Sequence, residues 1–347
     1  MKALLLSATL LVLAARAAAQ IVSAGFIYES APYPSCHAST LAENKRGELV
    51  AAWFGGTKER DLDVCIYVAR RENGRWLEPV MVADGVQPDG KRLPTWNPVL
   101  FQPKDGPLFL FYKVGPKPSE WWGLYRISND GGRSWEAPVL LPKGVLGPIK
   151  NKPVILADGT WLSPSSREEG EDGWRLVFER SRDQGKTWEL TSPVPSKLGI
   201  GAIQPSVLFL PHNRLAAVSR TRNGILALTW SEDSGATWKE LLPLGLPCPN
   251  SGTDAVTLAD GRQLLVYNHN STTFEKPGKG VRYPIDVALS DDGLNWRHVL
   301  TLDAKPCDAG YAYPSVIQSA DGLVHISYTW DRKRIKHVVL DPSLLGH

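Results

Sequence analysis

One short motif recurs through this chain and constrains its fold more than any other feature. The motif has the form Ser-x-Asp-x-Gly-x-(Ser/Thr)-Trp. Three full copies begin at Ser128, Ser181 and Ser231, a copy that is one residue shorter begins at Ser290, and residues 70–76 form a degraded copy. The regular spacing of these starting positions along the chain is a period, and such a period indicates a fold that is built from repeated units.

Each copy of this motif has the chemistry of a tight turn between two strands. Its Ser and Asp side chains can bond to turn amides, and its Gly can adopt a positive φ. Its Trp covers the edge of the sheet with a large apolar surface. The composition agrees, because 31 Gly, 27 Pro and 13 Trp in 347 residues are typical of many turns and short strands.

A second repeat, independent of the first, consists of an apolar strand, a tight turn and another apolar strand. Its six turns are Arg46-Gly47, Asp105-Gly106, Asp158-Gly159, His212-Asn213, Asp260-Gly261 and Asp321-Gly322. Together the two repeats predict an all-β fold, a six-bladed β-propeller of four-stranded antiparallel blades. Residues 20–347 would form this single domain, with about 55 residues in each blade. A pair of β-sandwich domains is the structural alternative.

Residues 1–19 have the pattern of a secretory signal peptide. Lys2 provides the positive start, residues 3–15 are largely apolar, and Ala17-Ala18-Ala19 is a small-residue cleavage site. The apolar segment is too short for a membrane span, and no later stretch approaches the roughly 18 apolar residues that a span needs. We therefore expect a protein that is secreted or periplasmic after cleavage near Ala19.

The charge balance and the known sequence motifs exclude several classes of function. The net charge of +3, from 39 basic and 36 acidic side chains, is too balanced to indicate a nucleic-acid partner. There is no phosphate loop, dinucleotide fingerprint or His-Glu-x-x-His motif, so we expect no cofactor and no metal site. Export permits disulfides, and both the local pairs Cys36–Cys65 and Cys248–Cys307 and four free thiols remain open.

Polar residues precede the inner strand of each predicted blade. Inner strands of a propeller meet at the central channel, so equivalent residues form a ring around one opening. When the inner strands are aligned on their shared x-(Pro/Ala)-(Ser/Val) pattern, these residues are His37, Asn97, Lys152, Gln204, Thr253 with the neighbouring Asp254, and Tyr313. A purely structural channel would favour apolar side chains at these positions. A polar ring predicts a bound ligand or trapped water.

The turn motif resembles the Asp-box, or BNR, repeats of the sialidase superfamily, and the resemblance covers nearly all of residues 20–347. Asp-boxes also occur in other propellers, so they identify the fold better than the reaction. The resemblance implies an exo-acting glycosidase that removes a terminal acidic sugar and takes a glycan as its partner. Sialidases use a tyrosine nucleophile that is activated by a glutamate, and three arginines bind the sugar carboxylate.

The resemblance assigns roles to residues that match the family pattern. Tyr313 matches the nucleophile, and Tyr311 is its alternative. Asp61, in an acid-rich loop that follows the first inner strand and its partner, looks like the catalytic acid, and Asp63 competes with it.

Two of the family's three carboxylate-binding positions are matched by arginines of this chain. Arg220, on the strand after the one that contains Gln204, looks like the second arginine, with Arg222 as its alternative. Arg282 looks like the third. The other ring residues Asn97, Lys152 and Asp254, together with Tyr311 and Trp96, are further substrate-binding candidates.

Two positions depart from the family pattern. His37 stands where the first arginine is expected, and Gln204 stands where the glutamate is expected. Because Gln cannot accept the phenolic proton, the tyrosine would need another activator, such as the charge of Lys150 or Lys152. Alternatively, Asp61 or Asp63 would act with His37 on a water molecule and invert the anomeric configuration.

Several other side chains are secondary candidates. Trp121 and Trp122 could stack on sugar faces beside Trp96, and Glu168 and His269 could exchange protons. The charged segments 45–48 and 331–334 look like solvated turns. Three functions follow from these residues: a sialidase-type glycosidase, a carbohydrate-binding propeller without catalysis, and a propeller that cleaves uronic-acid polysaccharides, by hydrolysis or as a lyase.

Overall fold

The repeated turns connect strands that form six antiparallel sheets, and the computed structural model describes residues 20–169, 173–270 and 280–346. The first strand, β1 (Ile21–Phe26), precedes blade one, whose strands are β2 (Ser35–Glu43), β3 (Leu49–Gly56), β4 (Cys65–Glu72), β5 (Arg75–Trp76) and β6 (Val80–Ala83). Blade two contains β7 (Thr95–Phe101), β8 (Leu108–Val114), β9 (Trp122–Ser128) and β10 (Val139–Leu140). Blade three contains β11 (Val154–Ile155), β12 (Trp161–Glu169), β13 (Gly173–Ser181) and β14 (Glu189–Leu190).

The second half of the chain repeats this arrangement. Blade four contains β15 (Ala202–Leu210), β16 (Arg214–Thr221), β17 (Ile225–Ser231) and β18 (Leu242–Pro247). Blade five contains β19 (Asp254–Thr257), β20 (Gln263–Tyr267), β21 (Ile285–Ser290) and β22 (Arg297–Asp303). Blade six contains β23 (Tyr311–Gln318), β24 (Val324–Trp330) and β25 (Arg334–Leu340). A short 3-10 helix covers Pro342–Leu344. The predicted six-bladed β-propeller is confirmed, with one additional strand, β6, paired to β4 in blade one.

The ring closes through a strand from the beginning of the described chain. β1 pairs antiparallel with β25 and becomes the outermost strand of blade six, with Ala24 opposite Val338. Blade six therefore combines the two ends of the domain. This pairing places blade six next to blade one, and the inner strands β2 and β23 contact each other.

The predicted turn motifs lie between the third and fourth strands of their blades. In the first full copy, the Ser128 hydroxyl donates to Asp130 Oδ1 over 2.8 Å and accepts from the Gly132 amide over 2.7 Å. The motif tryptophan lies between neighbouring blades: the Trp238 ring stacks on Phe178 of blade three with 3.9 Å between the ring centroids. The core is accordingly a set of apolar layers between successive blades.

All four cysteines are free, which decides between the two alternatives left open by the sequence. Gly55 of β3 is the register partner of both Cys36 and Cys65, so a whole strand lies between the two thiols. Two strand spacings amount to roughly 9–10 Å, which is more than a disulfide can span.

The predicted signal peptide, residues 1–19, lies outside the described residues. Within the described part of the chain, no helix has the length and apolar character needed to cross a membrane.

Candidate functional site

A β-bulge recurs at the same place in four inner strands and positions the site. The register shifts between His37 and Thr40 in β2, and comparable shifts occur in β7, β15 and β23. The first unpaired residue of each bulge has a positive φ; these residues are Ala38, Asn97, Gln204 and Tyr313, with φ values of 58°, 37°, 58° and 53°. Four non-glycine residues in this strained region indicate a constrained functional opening.

The bulges correct one part of the sequence alignment. Ala38, and not His37, is the structural equivalent of Asn97, Gln204 and Tyr313. His37 enters the ring in the sequence alignment because Ala38 satisfies the Pro/Ala position of the pattern. His37 instead precedes the bulge.

The hydroxyl of Tyr313 lies in a closed group of three polar side chains. Arg220 Nη1 donates to the Tyr313 oxygen over 2.7 Å and to Gln204 Oε1 over 3.1 Å. Gln204 Nε2 lies 3.2 Å from the same phenolic oxygen. Because a guanidinium can only donate, Arg220 fixes the orientation of the amide and makes Nε2 a donor to Tyr313. The phenolic oxygen thus receives two N–H groups.

Two of the arginines from the sequence prediction lie around Asn250. Arg220 Nε donates to the Asn250 side-chain oxygen over 2.6 Å, and Arg282 Nη2 donates to its backbone oxygen over 3.4 Å. Both guanidinium groups also lie near the Tyr313 ring, at 5.6 and 5.9 Å from its centroid. Burial, with the charge of Arg220, lowers the pKa of Arg282 to about 10. A negative ligand would relieve this repulsion.

Arg222, the alternative to Arg220 in the sequence prediction, lies over a second aromatic ring, that of Trp174. The Arg222 guanidinium lies 4.2 Å from the centroid of the Trp174 ring, and Arg220 lies 5.2 Å from the same ring. Cations prefer this position over an indole face. Trp174 therefore brings both arginines of the β16 region to one side of the site.

Lys150 lies buried beneath the Tyr313 ring. Its Nζ donates to the backbone oxygens of Thr253, over 2.9 Å, and Pro314, and to the side-chain oxygen of Asn151, over 2.8 Å. The Nζ atom is 5.8 Å from the ring centroid of Tyr313. Burial lowers the pKa of Lys150 to about 7. The lysine connects three blades directly below the candidate nucleophile.

Lys152 and Asp254 contact each other instead of the group around Tyr313. Lys152 Nζ lies 2.8 Å from Asp254 Oδ2, which also accepts from the Val316 amide over 2.9 Å. The other carboxylate oxygen accepts from the Ser206 hydroxyl over 2.8 Å. The pair links the inner strands along the channel, a structural position that the sequence alignment could not separate from the site itself.

His37 packs against the candidate nucleophile. Its ring centroid is 4.1 Å from that of Tyr313, and Nδ1 lies 3.0 Å from the Thr329 hydroxyl. Burial, followed by the charges of Arg332 and Arg282, keeps the pKa of His37 well below its usual value. The imidazole is therefore neutral at neutral pH and cannot replace a guanidinium as a carboxylate-binding cation.

The two predicted acids bond within the loop that joins β3 to β4. Asp63 Oδ2 accepts from the Thr57 amide over 2.9 Å and from its hydroxyl over 2.8 Å. Asp61 lies 3.9 Å from Lys58 Nζ. A third acid of the same loop, Glu59, forms an ion pair of 2.8 Å with Arg332.

Glu168, a carboxylate on blade three, lies near Arg220 and Arg222 of blade four. Glu168 is half-buried, and burial raises its pKa although Arg220 and Arg222 act in the opposite direction. Glu168 also borders a cavity of about 460 Å³ whose wall includes Trp121 and Trp122. Three of the secondary candidates from the sequence thus line one cavity.

Two predicted substrate-binding residues belong to the core. Trp96 is 2% exposed, its indole donates to the Gly115 oxygen over 2.7 Å, and its ring packs on Trp121. Tyr311 is equally buried and donates to the Lys305 oxygen over 2.6 Å. Neither ring has a free face for a sugar, because apolar packing covers both. Asn97 is buried at its bulge.

Sequence reasoning missed Arg332, Glu59 and Asn250. Arg332 belongs to the segment 331–334 that was expected to be a solvated turn, yet its charge is the strongest that acts on His37. No signal in the sequence distinguishes this arginine from an ordinary hairpin residue. His269, a secondary candidate, is bonded to the Tyr267 hydroxyl. Among the described residues, no three His, Cys, Asp or Glu side chains are arranged to hold a metal ion.

Comparisons with known proteins agree with this architecture. A sialidase of Clostridium perfringens is 26% identical over 197 residues, so the chain spans about half the length of this curated relative, and the match covers 50% of the chain itself. A protein of unknown function from Dyadobacter fermentans superposes with a TM-score of 0.75 at 19% identity, over 93% of this chain and 98% of the other. The intramolecular trans-sialidase of Ruminococcus gnavus superposes with a TM-score of 0.70 at 14% identity, over 94% and 99%.

A family model provides the assignment that these distant likenesses leave open. The model for the BNR repeat-like domain matches residues 47–326, which is most of the propeller. The match includes Tyr313, Arg220 and Arg282. The chain therefore belongs to the BNR repeat-like domain family of the sialidase superfamily.

Proposed function

We propose that this protein is a glycoside hydrolase of the sialidase type that removes a terminal sugar acid from a glycan. The observation that carries the proposal is that Arg220 and Arg282 both bond to Asn250 and both lie close to the Tyr313 ring, and that Arg220 also bonds to the Tyr313 hydroxyl. Guanidinium groups bind carboxylates through paired hydrogen bonds. A sugar carboxylate held there would place the anomeric carbon near the phenolic oxygen.

In the proposed reaction, the Tyr313 oxygen forms a bond to the anomeric carbon while the glycosidic bond breaks. Arg220 and Gln204 donate to this oxygen and so favour its negatively charged form. The phenolic proton passes to water, because Gln204 cannot accept it. The leaving oxygen takes a proton from an acid of the β3–β4 loop, for which Asp61 and Asp63 remain the predictions. Water then cleaves the glycosyl–tyrosine bond with net retention.

A binding protein without catalysis is the second candidate, and one observation favours it. Gln204 donates to Tyr313 in the position where a sialidase needs a proton acceptor. Arg220 and Arg282 still match the carboxylate-binding arginines of the family, so the site would still attract an acidic sugar. Binding and turnover must therefore be measured separately.

The decisive experiment compares the wild-type protein with Tyr313→Phe, and with Tyr311→Phe as a matched control that removes a hydroxyl outside the site. Fluorogenic sialosides and uronides report turnover, and proton NMR reports the first-formed anomer. We expect wild-type turnover with retention, loss of turnover in Tyr313→Phe, and turnover in Tyr311→Phe that follows its folded fraction. Calorimetric binding of a sugar acid with no turnover of either glycan would instead establish the second candidate.

A further inference from the structure

The hairpin between β24 and β25 carries a large side chain at a position that ordinarily suits a small one. Asp331 and Arg332 have φ values of 49° and 58°, in the left-handed region. Glycine and asparagine occupy this region most easily, because a longer side chain is strained there. An arginine held in such a conformation points to a use of its side chain rather than to the turn itself.

The backbone bonds of the hairpin bring Arg332 to the rim of the site. The Cys36 amide donates to the Arg332 oxygen over 2.8 Å, which ties the hairpin to the residue before His37. On the other side, the Asp331 amide donates to the Gly310 oxygen over 2.9 Å. Gly310 is also packed against Arg282, since an added Cβ would come within 2.7 Å of that residue. The hairpin backbone at Arg332 is therefore held between the residue before His37 and the glycine that packs on Arg282.

The charge of Arg332 acts on the same space as the predicted carboxylate-binding arginines. Arg332 lowers the pKa of His37 after the larger effect of burial, and it lowers the pKa of Arg282 after the larger effects of burial and of Arg220. Its counterion is Glu59, 2.8 Å away, and both side chains keep partial exposure, 26% for Arg332 and 36% for Glu59. The guanidinium is therefore accessible, and a partly exposed ion pair of this kind exchanges partners at little cost.

We propose that Arg332 is the third substrate-binding arginine of this protein, and that its guanidinium leaves Glu59 to bind the carboxylate of the sugar acid together with Arg220 and Arg282. Arg332 thus provides, from blade six, the positive charge that the neutral His37 of blade one lacks. Glu59 then acts as a competing carboxylate, which sets the affinity. This inference rests on the proposed function.

The test uses Arg332→Asn, because asparagine suits the left-handed backbone and replaces the charged side chain with a short neutral one. Arg334→Gln is the matched control, since Arg334 lies on the same hairpin but pairs with Glu29 and covers Phe26. The probes are N-acetylneuraminic acid and glucuronic acid, each compared with its methyl ester. Calorimetry gives the dissociation constants, and thermal unfolding checks the fold.

We expect Arg332→Asn to weaken binding of the acid by about tenfold, the value of one lost charge-assisted hydrogen bond, and to leave binding of the ester unchanged. Glu59→Gln should tighten binding of the acid, and Arg334→Gln should change neither. Equal binding of the acid by Arg332→Asn and the wild type, or equal loss for acid and ester, would overturn the inference. Arg220→Ala separates the two proposals. If the wild type prefers acid to ester and only Arg220→Ala removes that preference, the carboxylate site of the proposed function stands and the role of Arg332 fails. If the wild type has no preference, both fail.

Discussion

Arg220 Nη1 lies 2.7 Å from the hydroxyl of Tyr313, although 93 residues separate them in the chain. The contact joins blade four to blade six across the opening of the propeller. Gln204 completes it by accepting from the same guanidinium nitrogen and donating to the same hydroxyl. The phenolic oxygen is consequently surrounded by donors, and this arrangement leads to the first two predictions.

Replacing Arg220 with lysine should impair both binding and chemistry. The guanidinium bonds to Asn250, Gln204 and Tyr313 through two of its nitrogens. Lysine has a single ammonium nitrogen on a shorter side chain and cannot keep all three bonds. We expect the affinity for a sugar acid to fall by about tenfold or more. Steady-state kinetics and calorimetry provide the measurement. Arg214→Lys, at the exposed start of the same strand, is the control and should behave as the wild type.

Replacing Gln204 with glutamate should raise turnover. A carboxylate at this position keeps the bond from Arg220 and can accept the phenolic proton, which the amide cannot do. General base catalysis of this kind contributes about 10²-fold or more, so we expect a clear rise in kcat with little change in KM. Gln204→Ala is the control, and it should lower kcat. A rise with both variants would show that the amide only obstructs the site.

Two buried histidines should make stability depend on pH. The Trp76 indole donates to Nδ1 of His337, whose Nε2 in turn donates to Nδ1 of His325 over 3.1 Å. Both rings are therefore neutral in the folded state, and burial lowers the pKa of His325 to about 4 and of His337 to about 3. The unfolded chain binds protons near its ordinary pKa of about 6.5, so the stability present above that value is lost as the pH falls.

Below about pH 6.5, each histidine should lower the free energy of unfolding by up to about 1.4 kcal/mol for each pH unit. Urea unfolding between about pH 7 and about pH 5 measures the free energy of unfolding, and His325→Gln should reduce its slope against pH. The same substitution at exposed His212 is the control and should leave the slope unchanged. An identical slope in His325→Gln would contradict the prediction.

Removing one Asp-box carboxylate should destabilise the propeller. Asp233 accepts from the Ser231 hydroxyl and from the amide and hydroxyl of Thr237, so it holds the turn between β17 and β18. We expect Asp233→Asn to lower the free energy of unfolding by about 1–2 kcal/mol. The neighbouring Glu232 forms only an exposed ion pair with Lys239, and Glu232→Gln should cost less than about 0.5 kcal/mol. Denaturant unfolding distinguishes the two variants.

Most of the fold could be predicted from the sequence, because its information is local. An Asp-box bonds within its own short turn, and most strands pair with the next strand along the chain, so both leave a visible period. The sequence also marks Gln204 and Tyr313 on recognisable inner strands, and the family resemblance marks Arg220 and Arg282. Their roles in binding and catalysis stay predictions.

The remaining features depend on strand register and on packing between elements, which leave no trace in a single sequence. The bulge that makes Ala38 equivalent to Tyr313 is a one-residue change of register. The burial of Trp96 and Tyr311 follows from packing between neighbouring elements. The charge of Arg332 acts on His37 because β1 pairs with β25 and closes the ring, which brings the last blade beside the first. Local patterns thus establish the blades, whereas the composition of the site is set by the closure of the ring.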